Sequence, residues 1–374
     1  MKQVYKGRQG QENARKYITG LLSSAERKNG WQMAEQVGEK TPYAIQQFIY
    51  RGNWEADELR DVLRGYVVES IGSPEAVQVI DETGFLKQGR KSCGVKRQYS
   101  GTAGRVENCQ VGVFLTYASE HGHTMIDRDL YLPEEWASDE VRRKEAGVPE
   151  SVVFQTKPQM ALAMLKRTHA AGVPYAWVAG DSVYGDYRDI RAWCESVNKS
   201  YVLCISGKEH LWIGYKQHRV SELLEELDPN RWEEASCGDG SKGARVYDWQ
   251  IVQINAAQEG FRRYMLVRRS KTSGQMRAYA CFAPEDTPPM KLIEVAGMRW
   301  TVEDSFAETK SQVGLDQYEV RSYNGWYKHI TLACAAHALL TRMSRNSSDK
   351  GLFQNHVAQA SSLEAFKRGR GLLV

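Results

Sequence analysis

The sequence predicts an α/β protein: a core of three strands, a helix, a strand, a helix and a strand, preceded by a small helical domain and split by a β-rich insertion. Three observations carry this. Helical spacing without strand alternation fills residues 11–70, and apolar runs with strand and helix periods then follow one another from 74 to 207. A turn-rich stretch with three tryptophans and three further strand patterns occupies 211–289, after which helical spacing resumes at Met290. The expected domains are 1–72 (N-terminal, helical), 73–208 (core, first part), 209–289 (insertion), 290–345 (core, second part) and 346–374 (tail).

In the helical front, apolar residues fall at Ala14, Tyr17, Ile18, Leu21 and Leu22, then at Met33, Ala34 and Val37, at Ile45, Phe48 and Ile49, and at Leu59, Val62, Leu63 and Val67. A helix ending at Gly38 and a second one starting with Thr41 as N-cap and Pro42 at its first position give the pattern of a helix-turn-helix, or of a plain packing bundle. The core reads as strands at 77–81, 106–117 and 123–132, a helix through Met160 to His169, a strand at 175–180, a helix at 187–197 and a strand at 201–206. In the insertion, strands are expected at 245–254, 261–268 and 275–282, with turns at Gly238-Asp239-Gly240 and Ser273-Gly274.

Composition narrows the function classes. With 374 residues, of which 42% are hydrophobic, the chain has material for two or three cored domains. No leader peptide and no apolar run of roughly 20 residues is legible, so a cytoplasmic, nucleoid-associated protein without a membrane partner is expected. The seven scattered cysteines suit reduced core positions rather than a zinc ribbon. A net charge of +4 is too small for a bulk polyanion field, so a nucleic-acid partner requires local basic patches.

Three acids stand out. Asp81 ends the apolar run 76–80, Asp181 ends 175–180, and Glu303 lies in the helical run 299–306. Oxygen-only ligands suit Mg²⁺ or Mn²⁺, and two such ions can hold the attacking and leaving oxygens of an in-line phosphoryl transfer. An isolated strand-end aspartate is as readily a turn residue or helix cap, and Glu303 can simply pair with Arg299 one turn away. Glu308 and Asp304 are rival third acids, while Glu82, Asp127, Asp129 and Asp186 read as structural.

The order of the core elements resembles the ribonuclease-H-like fold, which implies that the first and fourth strands are neighbours and that Asp81 and Asp181 meet. Several ordered stretches resemble the DDE transposases of bacterial insertion sequences, in the IS-four superfamily and its IS-seven-hundred-one branch. They are Val79-Ile80-Asp81-Glu82-Thr83-Gly84-Phe85 with Lys87, Gly94-Val95-Lys96-Arg97-Gln98-Tyr99-Ser100-Gly101, Asn108-Cys109-Gln110-Val111-Gly112-Val113, Gly180-Asp181-Ser182-Val183-Tyr184-Gly185-Asp186, Arg299-Trp300-Thr301-Val302-Glu303 and Gly314-Leu315-Asp316-Gln317-Tyr318. The resemblance implies that Asp81, Asp181 and Glu303 are the catalytic, metal-holding acids. It also makes Arg299, Glu303 and Lys310 the arginine, glutamate and lysine of the superfamily signature, whose tyrosine place is held here by Ala296. On an α-helix Arg299 and Lys310 fall on the same face as Glu303, so two DNA-contacting cations are expected to flank one metal ligand where a phosphodiester must sit.

The resemblance further implies a transposase that cuts the element's ends, directly or through a hairpin, and joins the 3′-hydroxyl to target DNA. Its partner is double-stranded DNA, held by a homodimer. Lys87, Lys96, Arg97 and Arg105, interleaved with glycines after Asp81, are expected to follow a phosphate backbone. Trp212, Trp232 and Trp249 are core residues by default, and the resemblance makes one of them a candidate to stack on a flipped base. A nuclease without strand transfer, a domesticated DNA-binding protein without catalysis and a two-carboxylate glycosidase are the other readings. The glycosidase leaves the third acid between Arg299 and Lys310 unexplained.

Overall fold

The computed structural model describes residues 3–240, 243–255 and 258–348, so most of the expected tail lies outside the described residues. The helices α1 (Gly7–Leu22), α2 (Gly30–Gln36), α3 (Tyr43–Tyr50) and α4 (Ala56–Ile71) come first. Strands β1 (Val77–Leu86), β2 (Lys96–Ser100), β3 (Arg105–Ser119) and β4 (Gly122–Tyr131) follow, then helices α5 (Glu134–Ala137), α6 (Glu140–Ala146) and α7 (Lys157–Ala170). Next are β5 (Trp177–Gly180), α8 (Ser182–Gly185), α9 (Arg188–Ser196), β6 (Ser200–Ile205), β7 (His210–Ile213), β8 (Lys216–Arg219) and α10 (Val220–Glu225). The chain continues with β9 (Glu233–Gly240), β10 (Gly243–Gln253), β11 (Phe261–Arg269), β12 (Met276–Pro284), α11 (Pro289–Met298), α12 (Trp300–Val313) and α13 (Tyr323–Ser348).

These elements form two compact units. One contains residues up to 72, 82–156 and those from 304 onward; the other contains 73–81 and 157–303. The division passes through β1 just after Asp81 and through α12 just after Glu303.

In the first unit the front helices follow the sequence pattern closely. Asn29 caps α2 by accepting the Gln32 amide, and Gly38, at φ 76°, follows the helix where only a glycine is unstrained. Pro42 occupies the cap position rather than the first turn, so α3 starts one residue later than expected. The buried side chains are those the spacing marks: Met33, Ala34, Ile45, Phe48 and Ile49. The basic connection after Asp81, expected as a loop, contains β2, which runs antiparallel to β3 with Lys96 opposite Cys109 and Ser100 opposite Arg105. Its charged, glycine-flanked sequence hides it because it is held by a pairing with β3 rather than by an apolar face of its own. The core of this unit gathers aromatic rings: Phe85 of β1 lies 5.7 Å from Tyr318 and 6.3 Å from both Phe114 and Trp326.

His329 of α13 is fully enclosed there. Tyr17 Oη is 2.8 Å from its Nδ1, and its Nε2 is 3.1 Å from the Gly314 carbonyl. Nε2 therefore donates to the carbonyl and Nδ1 accepts from the hydroxyl, which fixes the neutral imidazole. Burial, the leading cause, pulls its pKa from the ordinary 6.5 to about 4. Below about pH 6.5 the unfolded imidazole gains a proton that the folded one refuses, so stability is expected to fall between pH 6.5 and 4. Denaturant melts of the native protein and of His329→Gln should show a shallower acid slope in the variant. Equal slopes would mean that another group carries the acid sensitivity.

The second unit holds a sheet ordered β1-β5-β6-β12-β11-β10-β9. Val77 to Ile80 of β1 pair in parallel with Trp177 to Gly180 of β5, as the fold resemblance implies, and β5 pairs in parallel with β6. Both β5 and β6 are buried along their whole length, which is why they read as unbroken apolar runs. The insertion's strands continue this sheet, since β12 runs antiparallel to β6 with Phe282 opposite Tyr201. Two elements escaped the sequence reading. The hairpin β7–β8 has strands of only four residues each, of which β8 is wholly polar, and Gly238-Asp239-Gly240, expected as a turn, belongs to β9. Gly238, at φ 112°, serves the irregular pairing of β9 with β10, whose register shifts between Ala244 and Val246. All seven cysteines are buried and free, and among the described residues no helix is long and apolar enough to cross a membrane.

Candidate catalytic carboxylate site

Asp81, Asp181 and Glu303 all belong to the second unit. Ile80 and Gly180 are the last paired residues of the parallel strands β1 and β5, so Asp81 and Asp181 follow side by side where that pairing ends. Parallel neighbours lie about 4.8 Å apart, and the carboxyl ends of such strands are where open α/β sheets present ligands. Asp81 does not end its strand, since β1 runs on to Leu86. Asp181 does end β5, and it is also the N-cap of α8: its Oδ1 accepts the Val183 amide at 2.9 Å. The cap reading and the site reading thus hold together, because the cap uses one oxygen and fixes the direction of the other.

The turn after Asp181 depends on a close approach that nothing in the sequence signals. A Cβ on Gly185 would stand 1.8 Å from the Cys204 carbonyl oxygen, so only glycine lets α8 lie against β6. The same device recurs before Glu303. A Cβ on Gly297 of α11 would stand 1.8 Å from the Cys237 carbonyl oxygen of β9. Ala296, at the tyrosine place of the signature, is buried in the same helix.

Arg299 faces Glu303 one helical turn away, as the spacing leads one to expect, although it stands just before the first residue of α12. It is the joint between α11 and α12, at φ −55° and ψ −32°. From there Nη2 donates to Glu303 Oε1 at 2.7 Å, and Nη1 lies 3.7 Å from Asp81 Oδ2. Burial opposes the charge of Arg299, but Glu303 and Asp81 more than offset it and raise its pKa. The guanidinium is thus the positive charge that two of the three acids share.

Among the described residues, no three His, Cys, Asp or Glu side chains are drawn into one metal-holding group. Glu303, whose side chain is 52% exposed, is turned onto Arg299. The three acids supply oxygen donors alone, a set that fits Mg²⁺ or Mn²⁺ and disfavours softer metals.

The expected backbone-contacting cations are placed unequally. Lys310 of α12 donates to Thr83 Oγ1 at 2.7 Å and to Thr102 Oγ1 at 2.9 Å, and burial lowers its pKa. Lys87 is not on an open loop: its ammonium lies 3.5 Å from the Tyr318 ring centre and donates to the Tyr318 carbonyl, and burial lowers its pKa to about 8. Lys96 pairs with Glu135 at 2.7 Å, Arg105 pairs with Glu107 at 2.8 Å, and Arg97 is exposed on β2. Such surface pairs contribute about 0–1 kcal/mol and exchange readily for a phosphate.

Several acids are accounted for by structural partners. Glu308 meets His337 at 3.1 Å, Asp186 accepts the Ser206 amide at 2.8 Å, and Asp129 accepts from the Tyr327 hydroxyl. The tryptophans separate as well. Trp249 is core, with Nε1 donating to the Ala235 carbonyl; Trp232 lies under the Arg269 guanidinium; Trp212 on β7 is 51% exposed.

With this geometry in place, the match to known proteins is informative. A family described as DDE superfamily endonuclease matches residues 5–257. The chain belongs to that family. The match includes Asp81 and Asp181 and stops before Glu303. A probable transposase for insertion sequence element IS701 from Microchaete diplosiphon is 24% identical over 315 residues, which cover 82% of this chain and 77% of that protein. The resemblance to DDE transposases read from the sequence is borne out, and this DDE enzyme is a polynucleotidyl transferase of the kind that generally requires divalent metal ions.

Proposed function

We propose that the chain is a transposase of the cut-and-paste kind, acting on double-stranded DNA at the ends of its element. The reading rests on one observation above all: Asp81 and Asp181 stand side by side at the end of the β1–β5 pairing, with Arg299 reaching from Asp81 to Glu303. Divalent ions held by Asp81, Asp181 and Glu303 would supply Lewis acidity at the phosphodiester and lower the pKa of water. The chain's own residues do the rest. Asp181 is held in place by its cap bond to Val183. Arg299, which now donates to Glu303, would be able to donate its fork of N–H groups to the scissile phosphate. Hydrolysis at the element's end frees a 3′-hydroxyl, which then displaces an oxygen of a target phosphodiester. A homodimer would bring two ends together.

Strand transfer is the step that separates this reading from a nuclease. A precut element end with a free 3′-hydroxyl, mixed with the protein, Mg²⁺ and plasmid target, is expected to give joined products. Cleavage of an intact end without any joining would leave a nuclease. Absence of both, with DNA bound, would leave a binding protein.

The basic residues make a separate prediction. Lys96→Ala, Arg97→Ala and Lys310→Ala are each expected to weaken DNA binding and to reduce the slope of log affinity against log salt by about one. Lys310 lies seven residues beyond Glu303 on α12 and hence on the same side of that helix, so its loss should also slow single-turnover cleavage at saturating protein. Fluorescence anisotropy over a salt series reads the slopes. Three unchanged slopes would remove this basic surface from the DNA path.

A further inference from the structure

Arg268 of β11 and Arg277 of β12 are direct cross-strand partners. Like charges placed directly opposite each other destabilise a sheet. Here neither guanidinium forms a hydrogen bond or ion pair among the described residues, and Arg268 Nη1 is a fully buried donor without a partner. The contrast with the next residue is sharp: Arg269, on the opposite face, has Asp248 at 3.0 Å. An unpaired buried cationic donor costs more than an ordinary unsatisfied group, which is about 1–3 kcal/mol.

The surroundings hold Arg268 in place without neutralising it, whereas Arg277 is exposed. Arg268 lies 4.3 Å from the ring centre of Tyr247 and 5.1 Å from that of Trp300, and these two rings are stacked 6.2 Å apart at 2°. Arg245 approaches the Trp300 ring at 4.8 Å and Arg299 at 5.8 Å. Aromatic faces attract a guanidinium but leave its N–H edge free to donate. A cationic seat built from β10, β11 and β12 therefore adjoins Arg299, and through it Asp81.

We propose that Arg268 and Arg277, with Arg245 and the Tyr247–Trp300 ring pair, form a phosphate seat for the DNA backbone beside the carboxylates, and that the opposed arginines are tolerated because a phosphodiester bridges them. This deepens the transposase reading and rests on it for the identity of the ligand. The seat lies on the inserted strands, apart from the basic residues that follow Asp81 in the sequence.

The test has two arms. In the first, Arg268→Gln and Arg277→Gln are each expected to lower the salt slope of DNA binding by about one, and Arg277→Gln to leave the thermal midpoint unchanged or raised, since it removes a like-charge pair. In the second, inorganic tripolyphosphate is expected to raise the thermal midpoint of the native protein and to do so less for either variant. Unchanged slopes with an unchanged tripolyphosphate response would overturn the seat. Loss of thermal stability in Arg277→Gln with both binding readouts intact would do the same, by making the pair structural. A native protein that fails to join DNA but keeps the arginine-dependent tripolyphosphate response would sink the transposase reading alone.

Discussion

Asp81→Asn, Asp181→Asn and Glu303→Gln are each expected to slow DNA cleavage at least about a hundred- to a thousandfold, the scale on which one preorganised electrostatic contact acts. The fold should survive all three. Asparagine caps a helix about as well as aspartate, so Asp181→Asn keeps the bond to the Val183 amide that anchors α8. Asp81→Asn leaves Arg299 its closer partner, Glu303, and Glu303→Gln keeps an oxygen that can accept from Arg299. What each change removes is a negative charge and hence a hard ligand. Calorimetric titration with Mn²⁺ should show weakened binding in each variant, while thermal midpoints stay near the native value. A variant that cuts at the native rate would take its residue out of the site, and cleavage by the native protein in excess chelator would defeat the metal-dependent chemistry altogether.

Gly185→Ala and Gly297→Ala are expected to be as damaging, by a different route. Each new methyl group would meet a backbone oxygen at 1.8 Å, the Cys204 carbonyl in one case and the Cys237 carbonyl in the other. A backbone oxygen inside a paired strand cannot swing aside as a side chain can, so the helix must move. Overpacking of this kind typically costs about 1–3 kcal/mol, occasionally more. The displaced helices are α8, which carries the Asp181 cap, and α11, which delivers Arg299. Cleavage should therefore fall further than the loss of stability explains, even well below the melting temperature. Gly65→Ala, at an exposed position of α4 with open space at its Cβ, is the control and should stabilise slightly, as alanine does in a helix. Native thermal midpoints and native activity in Gly185→Ala and Gly297→Ala would show that the helices have room, contrary to the packing described.

The sequence by itself determined the elements whose periodicity is intrinsic and whose neighbours are local. The front helices, the strands β1, β5 and β6 and the helix α9 all carry their burial pattern in their own spacing, because a strand covered on both faces must be apolar throughout. Asp81 and Asp181 stood out because each follows an apolar run, whereas Glu303 was singled out from Asp304 and Glu308 by the spacing of the signature that the family resemblance implies.

Only the tertiary structure decided what depends on partners distant in sequence. β2 and β8 are polar strands fixed by pairing rather than by an apolar face, and β7, with four residues, is too short to carry a period, so no pattern announces them. The pairing of Arg299 with Glu303 is legible from their spacing, but that the same guanidinium also comes within 3.7 Å of Asp81 is decided by the fold. Lys87 reads as one more loop cation until Tyr318, far along the chain, covers it. The opposed pair Arg268 and Arg277 has no signature at all, since register between strands is set by which side chains share a buried face and not by either strand alone.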